Sequence, residues 1–237
     1  MNLANSISRL TVYYQRHGFA RTMRRASLAL KRALFSSRTV VFHCDLGTLP
    51  VAPVNTPNLP RVERVTSYGE LSQQDWKDIT SFWNPKLADR NIKERFQRGA
   101  SLWLIRSQDR LAGYGWTLKG RTMEPYFFPL APEDVHLFDF HVFAQHRGQG
   151  LNPALVNHIL HDLATTGRGR AFIEAGEWNE AQLSSLRKTP FCRLGMAKSF
   201  SIFGHTVADW TEKETSGRDS NNGTEKAAAA RAGSNEE

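Results

Sequence analysis

The sequence predicts an α/β domain on a mixed sheet flanked by helices, with a basic helical arm before it and a disordered tail after it. Three observations carry this expectation. Short β-branched and aromatic runs alternate with amphipathic helical runs between residues 61 and 207, the pattern of a sheet covered by helices. The middle runs are joined by the turn-like Ser107-Gln108-Asp109, too short to cross over between parallel strands, so part of the sheet is antiparallel. A loop with glycines at 148 and 150 leads from a strand into the longest helix.

The elements follow in order. Residues 5–35 read as helix, with Leu10, Tyr13, Leu28 and Leu34 set among arginines and alanines, and Gly18 breaks or bends it. Thr39 to Leu46 is β-branched and aromatic enough for a strand, after which Pro50, Pro53, Pro57 and Pro60 make a linker of 47–60. Arg61 to Thr66 is a strand. Ser72 caps a helix reaching Trp83, and Pro85 opens a second that ends at Arg98. Leu102 to Arg106 and Leu111 to Leu118 are strands, a Pro-rich stretch covers 125–132, and His136 to Phe143 is a strand. Leu151, Leu155, Ile159 and Leu163 recur every four residues on a helix over 151–166, which Gly167 ends. Ala171 to Ala175 is a strand, Glu180 to Lys188 a short helix, and Ala197 to Phe203 the last strand. The organisation is therefore an arm at 1–38, a strand and linker at 39–60, a core domain at 61–207, and a tail at 211–237. That tail is too poor in large apolar residues to offset its ordering entropy.

A chain of 237 residues holds one such domain with appendages. Its net charge of +8 is local: residues 1–44 carry eight Arg and Lys and no Asp or Glu, while the other 23 basic residues balance 23 acidic ones. The arm, not the body, is the cationic part. Its bland role is to pack an apolar stripe on the domain with arginines solvated; peripheral contact of residues 1–38 with an anionic membrane surface ranks next, and nucleic acid last. An acid-free, Arg-rich start also resembles an organelle presequence, a weaker reading. No apolar run approaches the roughly 18 residues needed to span a bilayer. Cys44 and Cys192 stand far apart and outside any C-x-x-C spacing, so neither a disulfide framework nor a zinc knuckle is expected, and a cytoplasmic, reducing compartment fits best. Oligomeric state is not legible.

The chemistry concentrates in Asp139-Phe-His-Val-Phe-Ala-Gln-His-Arg-Gly-Gln-Gly-Leu151. Glycines at 148 and 150 let the backbone turn tightly and leave the first helical amides pointing outward at the positive end of the helix dipole, which suits a phosphate. Gln145-x-x-Gly148-x-Gly150, with Arg147 before the first glycine and Leu151 after the second, resembles the Q/R-x-x-G-x-G/A pyrophosphate loop of the GNAT N-acetyltransferase superfamily. Asn179 and Phe191 are twelve apart, similar to that family's N-x-x-A-x-x-L-Y-x-x-x-G-F stretch. The Rossmann alternative lacks its third glycine, and a P-loop lacks Gly-Lys-Ser/Thr. His158-x-x-x-Asp162 matches an acyltransferase spacing but lacks the following glycine, and no third ligand accompanies the His141/His146 or His158/His161 pairs, so no metal is expected.

The resemblance implies a mostly antiparallel central sheet, acetyl-CoA as co-substrate, and a direct transfer of its acyl group to a primary amine. The acceptor is expected to be an amino sugar or other small metabolite; alternatives are a protein or peptide amine, or a degenerate CoA-binding adaptor. It implies cofactor contacts at Val142, Phe143, Gln145, Arg147, Gly148, Gln149, Gly150, Leu151 and Asn179. It also implies a sheet that splays after His141 to Phe143, main-chain groups near Val142 that pair with the pantetheine, and a backbone N–H for the oxyanion. The position often occupied by the tyrosine acid is Leu186, and Pro190 replaces the usual glycine. Candidates for the base are Asp139 and His141, alternating on one strand face, and Glu174 and Glu177, flanking the next strand.

Overall fold

The computed structural model describes residues 37–50, 60–81, 84–166, 169–202 and 205–212, together with 18, 19, 22 and 23. Its strands are β1 (Ser37–Asp45), β2 (Arg61–Val65), β3 (Ser101–Ser107), β4 (Arg110–Lys119), β5 (Val135–Val142), β6 (Arg170–Gly176), β7 (Cys192–Ile202) and β8 (His205–Glu212). The helices are α1 (Gln73–Thr80), α2 (Pro85–Gln97), α3 (Leu151–Thr166) and α4 (Glu180–Leu186).

All eight strands form one sheet in the order β2-β3-β4-β5-β6-β1-β7-β8. Every neighbouring pair is antiparallel except β5 and β6, which run parallel. Gln108 and Asp109 take φ of 51° and 59°, the left-handed pair that matches a tight hairpin to the twist of β3 and β4. Ser72 caps α1 by accepting from the Asp75 N–H (3.1 Å), and Asn84 caps α2 by accepting from the N–H groups of Lys86 and Leu87.

Helices cover both faces. On one, Leu155, Val156, Ile159 and Leu160 of α3 pack with Val135, Leu137, Ala171 and Ile173. On the other, Ile79 of α1 and Ile92 of α2 pack with Leu102, Leu104, Trp116 and Leu118. β3 serves both: Trp103 and Ile105 face α3, Leu102 and Leu104 face the other pair, and all four are at most 1% exposed. Full burial of each such side chain stabilises the fold by about 2 kcal/mol. Among the described residues no helix is long and apolar enough to cross a membrane.

Two boundaries differ from the sequence reading. β1, expected as a strand outside the core domain, lies between β6 and β7 and pairs with both. The reason is in its side chains: Val40, Val41 and Phe42 are buried consecutively, so both faces of the strand need cover. The sheet also runs past residue 207, because β7 starts at Cys192 and returns as β8, which takes in Thr211 and Glu212, two residues expected in the tail. The rest of the tail, the linker at 51–59 and most of the arm lie outside the described residues; residues 18, 19, 22 and 23 of the arm are helical, with Gly18 at a φ of 75°.

Candidate active site

β5 and β6 pair over only three positions, Val135 with Ala171, His136 with Phe172 and Leu137 with Ile173. Beyond them β5 stays with β4 and β6 stays with β1, so the two parallel strands part and leave a fork in the sheet. The fork opens after Leu137, four residues earlier than the expected splay after His141. Its closed end is tied by Asp134, 1% exposed, which accepts from the N–H groups of Ala131 (2.9 Å) and Arg170 (3.2 Å) and from the Arg170 guanidinium (3.0 Å).

A bulge shapes the β5 side of the fork. The β4–β5 register slips between Tyr114 and Trp116, and Asp139 takes a left-handed φ of 51°. Phe138 and Asp139 consequently both face α2, where Arg95 meets the Phe138 ring (5.4 Å) and the Asp139 carboxylate (2.5 Å). Phe140 then turns to the α3 face and covers Gly115, where any Cβ would run into its ring. His141 returns to the α2 face and stacks on Tyr114 at 5.6 Å. Asp139 and His141 thus share a face, as the alternation predicted.

The loop after β5 is a cradle of open amides. A 3₁₀ turn over Ala144–His146 uses the N–H groups of His146 and Arg147, which donate to Phe143 (2.9 Å) and Ala144 (3.4 Å). The chain then passes Gly148 at φ 81° and Gly150 at φ 73° into α3, whose first internal bond runs from the Ala154 N–H to Gly150 (3.1 Å). Among the described residues nothing accepts from the amides of Gly148, Gln149, Gly150 and Leu151, and a Cβ built on either glycine meets open space. Gln145 and Arg147 stand exposed beside it. Four outward donors at the positive end of a 16-residue helix fit a diphosphate.

Main-chain groups next to the fork are differently engaged. The Phe143 N–H donates to Ala112 (3.0 Å), and the Val142 carbonyl accepts from Arg147 Nε (3.1 Å). The Arg147 side chain therefore lies over the main chain at Val142, the position expected to meet the pantetheine arm. Asn179 caps α4 by accepting from the Gln182 N–H (3.3 Å) while donating to Gln182 Oε1 (3.0 Å). Gln182 in turn donates to the Glu174 carbonyl (3.1 Å), which fixes the end of β6. Leu186 is 1% exposed and packs in the α3 core, so no hydroxyl stands at that position.

Of the four base candidates, three reach the α2 face of the fork. Glu174, on β6, has a side chain 30% exposed and accepts at Oε2 from His136 Nε2 (2.8 Å) and the Tyr126 hydroxyl (3.3 Å). His136 is itself 4% exposed and stacks on Phe138 at 5.3 Å. Burial beside this carboxylate raises the Tyr126 pKa, so its hydroxyl remains a donor. Asp139 is paired with Arg95. His141 is held neutral by burial, aided by Arg147, which together lower its pKa. Glu177 stands apart: it is exposed beyond β6, where its main-chain N–H donates to Arg38 (3.0 Å).

His158 and Asp162 do not form a dyad, since Asp162 meets Arg64 (3.5 Å) and His158 lies edge-on to Trp103. Burial lowers the pKa of His158 as well. Both His141 and His158 therefore bind protons more weakly folded than unfolded. Their contribution to stability is complete above the unfolded value of 6.5 and is lost as pH falls below it. Melting temperature should hold level above pH 7 and decline below about 6.5, and His158→Gln should flatten that decline; thermal melts across pH 5 to 8 check both.

Sequence reading missed the groups that line a cavity on the α2 face. A cavity of about 240 Å³ opens between α1, α2 and the sheet, with Tyr114, Trp116 and Asp139 as its floor and Leu87, Asn91 and Arg95 on its wall. The four-residue spacing of Leu87, Asn91 and Arg95 was the available signal. His136 and Tyr126 were missed because one lies within a strand pattern and the other in a Pro-rich loop.

The profile of the acetyltransferase (GNAT) family matches residues 68–188, just over half of the chain. The protein belongs to the GNAT family. The match runs from before α1 to past the end of α4 and so spans the fork, the amide cradle and the cavity beside α2. Among solved structures, a GNAT-family acetyltransferase from Colwellia psychrerythraea is 12% identical over 81% of this chain and 62% of its own, with a TM-score of 0.48. A GNAT-family protein from Novosphingobium aromaticivorans, described as a putative acetyltransferase, is 15% identical over 69% of this chain and 62% of its own, at 0.46. A Bacillus subtilis acetyltransferase in complex with CoA is 22% identical over 54% of this chain and 74% of its own, at 0.40. The chain spans about three fifths of the length of the first two. No curated protein matches the sequence.

Proposed function

We propose that this GNAT protein is an N-acetyltransferase that moves the acetyl group of acetyl-CoA directly to a primary amine of a small metabolite. The observation that carries the proposal is the row of unengaged amides from Gly148 to Leu151, set beside a fork in the sheet. The diphosphate belongs on those amides, with Gln145 and Arg147 at its edge and Val142 facing the thiol arm. Bound there, acetyl-CoA supplies an acyl group already activated as a thioester. Glu174 removes the proton of the incoming amine, because His136 and Tyr126 hold its carboxylate at the open end of the parallel pair. His136 acts through Glu174, donating from Nε2 and keeping the acceptor oxygen aimed. With Leu186 in the tyrosine position, solvent protonates the departing thiolate.

Thiol release from acetyl-CoA over a panel of primary amines tests the activity. Glu174→Gln should lower kcat about 100-fold, the lower end for losing a positioned base, with acetyl-CoA affinity unchanged by calorimetric titration. The buried Leu186 favours a second reading, a CoA-binding adaptor without turnover. Tight acetyl-CoA binding with no thiol released from any amine would select it.

A further inference from the structure

From the cavity between α2 and the fork we infer that the acceptor carries a carboxylate as well as its amine, and that Arg95 receives that carboxylate. This rests on the acetyltransferase reading and specifies its acceptor. Arg95 projects from the buried side of α2 into the cavity, with its side chain 20% exposed. Its guanidinium lies over two rings, 5.0 Å from Trp116 and 5.4 Å from Phe138, and Nη1 is bonded to Asp139 Oδ2 at 2.5 Å. Those three contacts fix the plane and position of the group. Among the described residues nothing accepts from its Nε and Nη2, the edge that binds a carboxylate with two parallel hydrogen bonds.

The environment makes that edge selective. Leu87, Ile92 and Trp116 give the cavity apolar walls, which strengthen an ionic contact relative to water. Asp139 already balances the arginine, so the empty cavity is neutral, and an acceptor carrying one amine and one carboxylate leaves it neutral. With the carboxylate seated on Arg95, the amine is left to reach Glu174, which takes its proton. A guanidinium already immobilised loses little further entropy on binding. Two sources share this chemistry, a free α-amino acid and an amino sugar oxidised to its uronic acid.

The test compares matched acceptors by kcat/KM: phenylalanine against phenylalaninamide, and glucosaminuronic acid against glucosamine. The intact protein should favour the carboxylate of at least one pair about 50-fold, the worth of a charge-assisted bidentate contact. Whichever pair shows the preference identifies the source. In Arg95→Gln that ratio should collapse to near one, and Arg95→Lys should restore only a small part of it. A calorimetric titration of the favoured carboxylate into protein held with CoA reads the same contact without turnover, and Arg95→Gln should abolish it. A ratio near one in the intact protein, no carboxylate binding by calorimetry, or an equal loss on both members of a pair in Arg95→Gln overturns the inference. Failure of acetyl-CoA itself to bind would instead overturn the acetyltransferase reading beneath it.

Discussion

Replacing Gly148 and Gly150 together with aspartate is expected to weaken acetyl-CoA binding about 1000-fold while the protein still melts cooperatively. Both glycines sit at φ above 70°, where a side chain adds strain of about 1–2 kcal/mol each. Relief of that strain reorients the amides of Gly148 to Leu151, and charge-assisted bonds to phosphate are worth about 1.5–3 kcal/mol each. Two carboxylates placed where a diphosphate must lie add repulsion of their own. The fold should survive because both positions look onto open space rather than onto packed side chains. Calorimetric titration of acetyl-CoA into both proteins measures the effect, and equal affinities would remove the cradle from the mechanism.

The largest effect on stability is expected at the closed end of the fork. Asp134→Ala should cost about 2 kcal/mol in urea unfolding, the range for removing a charged, buried acceptor of several hydrogen bonds. The carboxylate is buried, and it joins three things at once: the loop at Ala131, the main chain at the start of β6, and the Arg170 guanidinium. Removing it leaves two part-buried N–H groups without an acceptor. Since β5 and β6 share only three paired positions, little else holds them parallel. A change below about 1 kcal/mol would show that the hydrogen-bonded ladder alone suffices.

These two sites differ in how far they could be read from the chain. The cradle was legible because its requirements are local: two glycines, a strand before and a helix after, all within a dozen residues. The helices were legible for the same reason, from their periodicity, from Ser72 as a cap and from Pro85 as an opening residue. Asp134 gave no such signal, since its partners at Ala131 and Arg170 come from a loop and a distant strand. The bulge at Asp139 left only the adjacent apolar pair Leu137 and Phe138 as a trace in sequence, and the extra residue itself shows only against β4. Glu174 could be named as a carboxylate near the centre. That His136 and Tyr126 hold it depended on the fork beginning at Leu137, which only strand pairing reveals. The cavity beside α2 was hidden likewise, because it joins one helix face to the floor of two strands.

The place of β1 carries a consequence for how this chain is made and trimmed. Val41 has Glu174 on one side and Gly195 on the other, so a ribosome releases that segment roughly ten seconds before either companion is translated. Until then a sticky ribbon waits uncovered, and its two long-range pairings make this part of the sheet slow to close. Starting the protein at residue 68, where the matched span begins, would remove β1 and leave β6 and β7 facing an empty slot, with two raw edges inviting other chains.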